Sequence, residues 1–312
     1  MANEITSQNV ATAIVKLVAQ DFLPPVVGSL VMGNLVNRNY EATLAQAGDV
    51  VNIPVAPNFT ANNIAEAGSV TNQNKTLGNA QVILNRHIEA SFAIPDVTKI
   101  LAVPDLLSLF TQSAVIAIAE QIETDLLSTY AQLNYNTAAG SGNSALTEAT
   151  LDTAETTLFT AKIPQGAPKY LVVSGTGYGQ LRQIARFTEF QMTGPSGQPS
   201  PMLTGQLAMA AGAAGAAGTL KGLTVFRSQY VQKVSTTTYN MCFHRDALAL
   251  VTRTLPLPMP GTGAIGAYAT MGDFGMRIIM SYTPAQLQQQ FTVDCLYGLG
   301  VLRNNFGLQV LS

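Results

Sequence analysis

Charge is what this sequence has least of. Only 11% of its 312 residues are Asp, Glu, Lys or Arg, less than half of the roughly 25% of an ordinary soluble domain. Asn, Gln, Ser, Thr, Ala and Gly fill the surface instead. The 16 basic and 18 acidic side chains leave a formal charge of −2, too near neutral for like-charge repulsion to hold copies apart, so self-association is expected. Nowhere do three basic residues run together. That absence excludes a dedicated nucleic-acid binder, which needs clustered Lys and Arg to displace the counterions around phosphates.

Cysteine and histidine are as scarce. Cys242 and Cys295 are far apart and each lies in an apolar strand pattern, so two buried free thiols are expected, as suits a reducing cytoplasm. His87 and His244 are the only histidines, and neither has a cluster of Cys, Asp or Glu at ligand spacing. No metal or other cofactor is expected, and both take surface or edge-strand roles. No segment offers about eighteen uninterrupted apolar residues, and Met1–Gln8 lacks the basic start of a secretory signal, so neither a membrane span nor export is expected.

Catalytic patterns are missing too. Gly175-Thr-Gly-Tyr-Gly179 sits between a strand and a helix, the place for a phosphate-binding turn, but Gln180 leaves it without the third glycine. Ser174 and Ser228 lie outside any G-x-S-x-G. Glu120, Glu123 and Asp125 fall on one helix, where they read as a solvated face or as intersubunit salt bridges. Nothing here assembles an enzyme.

What is present is a set of well-marked elements in a chain able to bury a substantial core. Val10, Ile14, Leu17 and Val18 repeat at helical spacing over Asn9–Val18, before Pro24-Pro25. Gly48–Val55 reads as a strand, with its partner at Gln81–Ile94. In that partner Val82, Leu84, Ile88, Ala90, Phe92 and Ile94 share one face, which Arg86 interrupts, while Asn85, His87, Glu89 and Ser91 share the other. Between the two strands Pro57–Asn79 is polar, too long for a tight turn and too poor in apolar residues to hold itself together. A neighbour has to support it.

Pro104 opens the longest helix, to about Gln132, with a stripe of Leu107, Phe110, Ala114, Ile118, Ile122 and Leu126. A second helix runs over Thr147–Lys162, capped by Thr147. Lys169–Ser174 reads as a buried strand and Tyr178–Phe187 as a helix. Gly194–Gly218 has no periodicity, and its Ala/Gly tract Gly205–Gly218 reads as a loop. Further strands are expected at Leu223–Val231, Thr238–Phe243 and Met276–Tyr282. Phe291–Val310 reads as two strands joined around Gly298 and Gly300.

Six of these segments, in order, resemble the major capsid proteins of tailed bacteriophages. They are Gly48-Asp-Val-Val-Asn-Ile-Pro54, the long helix, Tyr170-Leu-Val-Val-Ser174, Gly222-Leu-Thr-Val-Phe-Arg-Ser228, Phe243-His-Arg-Asp-Ala-Leu-Ala-Leu250 and Asp294-Cys-Leu-Tyr-Gly-Leu-Gly-Val-Leu-Arg303. The resemblance implies an α+β chain of the Hong Kong ninety-seven capsid fold. It places an N-terminal arm at 1–49, an extended β-hairpin loop at 50–95, and a peripheral domain at 96–164 with its spine helix at about 104–132. An axial domain follows at 165–262. The peripheral domain resumes at 263–312, with the last strand a candidate to join the axial domain.

The implied function is a coat protein that assembles through pentamers and hexamers into an icosahedral shell around double-stranded DNA. The alternative is an encapsulin-like shell enclosing protein cargo. The implied partners are further copies of the chain, a separate scaffolding protein, a portal, a decoration protein and non-specific contact with packaged DNA. The place is the virion capsid, assembled in the host bacterial cytoplasm. Candidate interface residues are Asn58, Phe59, Thr60, Asn72 and Lys75 in the loop, Glu120 and Glu123 on the spine, and Arg303 and Asn304 near the end. Some relatives crosslink a loop lysine to a neighbour's asparagine, which singles out Lys75 and Asn304-Asn305. Gly140 and Gly261-Thr-Gly263 are candidate hinges.

Overall fold

The structure, a computed structural model, describes residues 31–40, 50–55, 57, 59–64, 66, 68–96, 106–164, 167–184, 216–259, 262–271 and 274–312. The helix expected at Asn9–Val18, and all of the Gly194–Gly218 region before Ala216, lie outside the described residues. The first half of the chain contributes α1 (Met32–Leu35), β1 (Val50–Val55), β2 (Gly78–Pro95), α2 (Leu106–Ser128), α3 (Glu148–Thr160), β3 (Lys169–Val173) and α4 (Gly175–Gln183). The second contributes β4 (Ala216–Leu220), β5 (Leu223–Arg227), β6 (Lys233–Val234), β7 (Thr237–His244), β8 (Leu248–Arg253), β9 (Ala264–Met271), β10 (Phe274–Thr283), β11 (Gln288–Val301) and β12 (Gly307–Leu311).

The strands form two sheets. One runs β1-β2-β11-β10-β9, with β8 also on β11, and the other runs β12-β7-β3-β5-β4, with β6 on β7. In the first, β2 is the long member. Its eighteen residues would reach about 60 Å, and no single partner covers them. Gly78–Ile83 pair with β1, and Ile83–Pro95 pair with β11. Its burial alternates as the period-two pattern requires, with Val82, Leu84 and Ile94 buried and Asn85, His87, Glu89 and Ser91 exposed. The interruption at Arg86 is resolved by its neighbour across the layer. The guanidinium pairs with Asp125 of α2, which also accepts the hydroxyl of the buried Tyr297 on β11.

The spine helix, α2, is about 35 Å long and continues into a 3₁₀ turn at Thr129–Gln132. Ile118, Ile122 and Leu126 of the expected stripe are buried, and so are Val115, Ala119 and Leu127 around it. Phe110 is exposed at one edge, its ring 5.6 Å from that of Phe92. Leu107's side chain lies outside the described residues. The main core joins α1, α2 and α3 to the inner faces of both sheets, while a smaller cluster of Val51, Ile53, Val82 and Leu84 sets the hairpin base on Ala249 and Val251 of β8.

The second sheet is built around β3, whose Leu171, Val172 and Val173 are fully buried. β3 lies parallel to β5 and antiparallel to β7, and β12 pairs with the far edge of β7. α3 starts as expected, with the Thr147 hydroxyl accepting from Thr150 N–H at 3.3 Å.

Several expectations are corrected. The helix after β3 begins at Gly175, not Tyr178, because Ser174 caps it by accepting from Gly177 N–H at 3.0 Å. The phosphate-loop lookalike is therefore the helix's own first turn. The end of the Ala/Gly tract, from Ala216, is not loop but strand β4. The strand expected at Leu223–Val231 stops at Arg227. Three strands, β6, β8 and β9, had no separate expectation. His244 is not a surface residue; it is 4% exposed, its Nδ1 accepts from Asp246 N–H, and burial pushes its pKa down. Gly140 is no open joint: a Cβ there would lie 2.7 Å from the Leu311 carbonyl, and Ala139 bonds to Gln309 and Leu311.

The largest correction concerns Gly298 and Gly300, which join nothing; they lie inside the single strand β11. The bend comes later, at the 3₁₀ turn Asn304–Phe306. The glycines sit where β8 has succeeded β10 along one edge of β11 while β2 closes on the other, at a register shift between Tyr297 and Leu299. A Cβ on Gly298 would stand 2.5 Å from the Ile83 carbonyl oxygen, whereas one on Gly300 would meet the Val82 Cγ2 at 2.6 Å. Backbone cannot yield as a methyl can. Gly298→Ala should therefore destabilise the chain by about 2–3 kcal/mol and Gly300→Ala by less, with overpacking in the range of roughly 1–3 kcal/mol. Urea unfolding of the two variants checks the order; equal effects would contradict it.

Candidate assembly surface

The hairpin carried by β1 and β2 ends in a segment that its own chain leaves uncovered. Phe59 is 68% exposed, Ile64 50%, Val70 74% and Leu77 67%, in a stretch whose only charges are Glu66 and Lys75. Isolated apolar side chains at a surface are ordinary; here four lie on one loop and none joins a core cluster of the described residues. Thr60, Asn72 and Lys75 are exposed beside them, and Asn58 lies outside the described residues.

Within the loop the Gln73 carboxamide acts as a backbone partner. Its Oε1 accepts from Thr60 N–H at 3.0 Å and its Nε2 donates to the Thr60 carbonyl. Lower down, Asn52 Oδ1 on β1 accepts from Asn79 Nδ2 at 3.0 Å and from Gln81 Nε2 at 2.9 Å. Amides thus take the place of charge at these positions of the hairpin, leaving little charge there for salt to screen.

The remaining predicted residues fall elsewhere. Glu120 is exposed on α2 and accepts from the Tyr230 hydroxyl, which raises the tyrosine's pKa. Glu123 departs from the solvated face expected of it. It is 2% exposed, its two oxygens lie 3.1 and 2.9 Å from Met32 N, and the Ser228 hydroxyl donates to it at 3.3 Å. Arg303 lays its guanidinium 5.0 Å from the centre of the Phe306 ring. Asn304 is engaged within the chain, donating to Asn134 Oδ1 at 3.2 Å and accepting from Tyr135 N–H at 3.3 Å.

Sequence reasoning missed Ile64, Val70, Leu77 and Gln73. The first three carried a signal, single apolar residues spaced through a polar stretch that could not bury them. Gln73 carried none, since its role depends on which backbone group it meets. Cys242 and Cys295 are both buried and not joined in a disulfide, and burial pushes the Cys242 thiol up to about 12. Among the described residues no three His, Cys, Asp or Glu are grouped to hold a metal ion, and no helix is long and apolar enough to cross a membrane.

Residues 92–283, well over half the chain, match the family described as phage capsid protein. No curated protein matches. Among solved structures the chain is similar to one from Mycobacterium phage Che8, at 20% identity over 90% of each chain with a TM-score of 0.61. It is also similar to the capsid of Ralstonia phage GP4, at 11% identity over 88% of this chain and 86% of that one, TM-score 0.58. The capsid of an empty GTA particle matches at 10% identity over 91% and 90%, TM-score 0.57. At such identities the likeness is one of fold, and the fold it supports is the α+β Hong Kong ninety-seven type. With a family match over most of its length and an architecture shared with phage capsids, the chain belongs to the phage capsid protein family and is a structural protein, not an enzyme.

Proposed function

We propose that this chain is the major coat protein of a tailed phage and closes through five-fold and six-fold rings into an icosahedral shell around double-stranded DNA. The observation that carries this reading is the uncovered hairpin loop. If a neighbouring copy covers Phe59, Ile64, Val70 and Leu77, each gains roughly 1–2 kcal/mol, scaled from about 1.5–3 for complete burial. Weak contacts of this kind suffice when each subunit makes several and the rings close. Nothing observed favours the encapsulin-like alternative.

On this reading residues 1–49 are the arm, 50–95 the extended loop, 96–164 and 263–312 the peripheral domain, and 165–262 the axial domain. Two strands cross that division, since β8 pairs within the first sheet and β12 within the second. Asn58, Phe59, Thr60, Asn72, Lys75, Glu120 and Arg303 remain proposed interface residues. Glu123 leaves that group, because its carboxylate is enclosed by its own chain. A scaffolding protein, a portal, a decoration protein and loose contact with packaged DNA complete the proposed partners, with assembly in the host cytoplasm. Because Asn304 is held by Asn134 and Tyr135, assembled particles should run as a single monomer band on denaturing electrophoresis; a ladder would show the Lys75 crosslink.

Electron microscopy of the purified chain, with and without a co-expressed scaffold, should show closed polyhedra; only small monodisperse species in both would overturn the proposal. The double variant Phe59→Ser, Val70→Ser should unfold within about 0.5 kcal/mol of the parent, as exposed substitutions do, yet lose at least about tenfold in particle yield. Normal yield would remove the loop from the interface. Particles should also survive a rise from about 0.05 M to about 0.5 M salt, over which the Debye length shrinks roughly threefold, and dissociation across that range would place charge, not packing, at the contacts.

A further inference from the structure

Glu123 ties together three parts of the chain that are distant in sequence. It projects from the C-terminal third of α2. The backbone N–H of Met32 points at both of its oxygens, at 2.9 and 3.1 Å, and the backbone of Val31 and Gly33 adds to the same cradle. The Ser228 hydroxyl, just past β5, donates from the other side and in turn accepts from Tyr230 N–H at 3.3 Å. The side chain that organises this junction is 2% exposed and, among the described residues, has no cationic partner in it. Beside it opens a cavity of about 330 Å³ lined by Val31, Ile116, Glu120, Arg227 and Tyr230 among others. Water can therefore reach the junction if it opens.

We propose that Glu123 is a proton-operated fastening that holds the Val31–Val36 segment to the spine helix and to the end of β5, tightening as the medium acidifies and loosening as it turns alkaline. A carboxylate fixed among backbone N–H groups with no counter-charge bears a desolvation cost in its charged form only. Other titratable groups around the cavity do not remove that cost. Glu120, one turn earlier on the same helix, is itself acidic and is occupied by the Tyr230 hydroxyl. Arg227 directs its guanidinium over the Tyr178 ring, 4.8 Å away. Met32, Gly33, Asn34 and Leu35 offer no ionisable side chain. Consistently, burial pushes Glu123 up from 4.5 to about 7, against the lowering effect of its hydrogen bonds.

The direction of the effect follows from linkage. The closed junction binds the proton more tightly than an open, hydrated one, so closure is favoured while Glu123 is protonated, weakens as pH rises between about 4.5 and 7, and levels off above. The full difference of about 2.5 pH units caps the change in the opening equilibrium at about 300-fold. This fastening is independent of how a shell is built, so its test does not require assembly.

Hydrogen exchange of a peptide covering 31–36 in the purified chain, expressed as protection factors at pH 5 to 8, reads the opening directly. In the parent, protection should fall at least about tenfold across that range; in Glu123→Gln, which keeps an acceptor but cannot ionise, it should stay flat. Ser228→Ala removes a hydrogen bond that favours the charged form, so the fall should move to higher pH. A flat profile in the parent, a Gln variant that follows the parent, or a segment unprotected at every pH would each overturn the proposal. If the Gln variant fails to fold, the direction of the Ser228→Ala shift decides.

Discussion

One strand has more length than its own sheet can use. β2 must satisfy hydrogen bonds over eighteen residues, and β11 reaches only from Pro95 to Ile83. Among the described residues, the rest pairs with β1 alone. Backbone groups can be paired in a two-stranded ribbon, but side chains at its end have no second layer to pack on. That limit sends Phe59, Val70 and Leu77 into solvent and makes a single copy of this chain incomplete as a packed object. The base of the ribbon, by contrast, is pinned, because Val51, Ile53, Val82 and Leu84 close on β8. A rigid base with an uncovered end is a shape suited to reaching a neighbour.

Polar groups stiffen the frame that carries this projection. Arg86 on β2, Asp125 on the spine helix and Tyr297 on β11 meet in one network, so the long strand, the helix and the central strand of the sheet are held to a common register. Removing Asp125 would leave the buried Tyr297 hydroxyl without its acceptor, which costs more than the bond itself contributes. Glu123 performs a comparable task one helical face away for the segment at Met32. Two of the few charges in this sequence, Glu123 and Asp294, are therefore used inside the molecule.

Periodic features of this kind were legible from the residues alone. The alternation of β2, the stripe of α2 and the Thr147 cap depend on neighbours in sequence; the alternation and the cap lie where their patterns placed them, and Ile118, Ile122 and Leu126 of the stripe are buried while Phe110 is exposed. Arg86 was visible as an anomaly, though its partner was not, since Asp125 lies on another element. What sequence could not supply were relations across distance. Gly298 resembled a turn residue until β2 was seen to pass 2.5 Å from where its Cβ would stand. Glu123 matched every other surface carboxylate on a helix until Met32 and Ser228 closed over it. Of the candidate surface, the exposed loop was readable from its poverty in apolar residues, whereas Gln73's hold on Thr60 was not.

The central claim is that the loop between β1 and β2 has no support in a lone chain and gains it from another copy. Limited proteolysis followed by mass spectrometry, on the purified chain and on assembled particles side by side, tests it most directly. The account predicts rapid cleavage between residues 59 and 77 in the unassembled chain and protection of the same bonds in particles. Equal resistance in both states would contradict it.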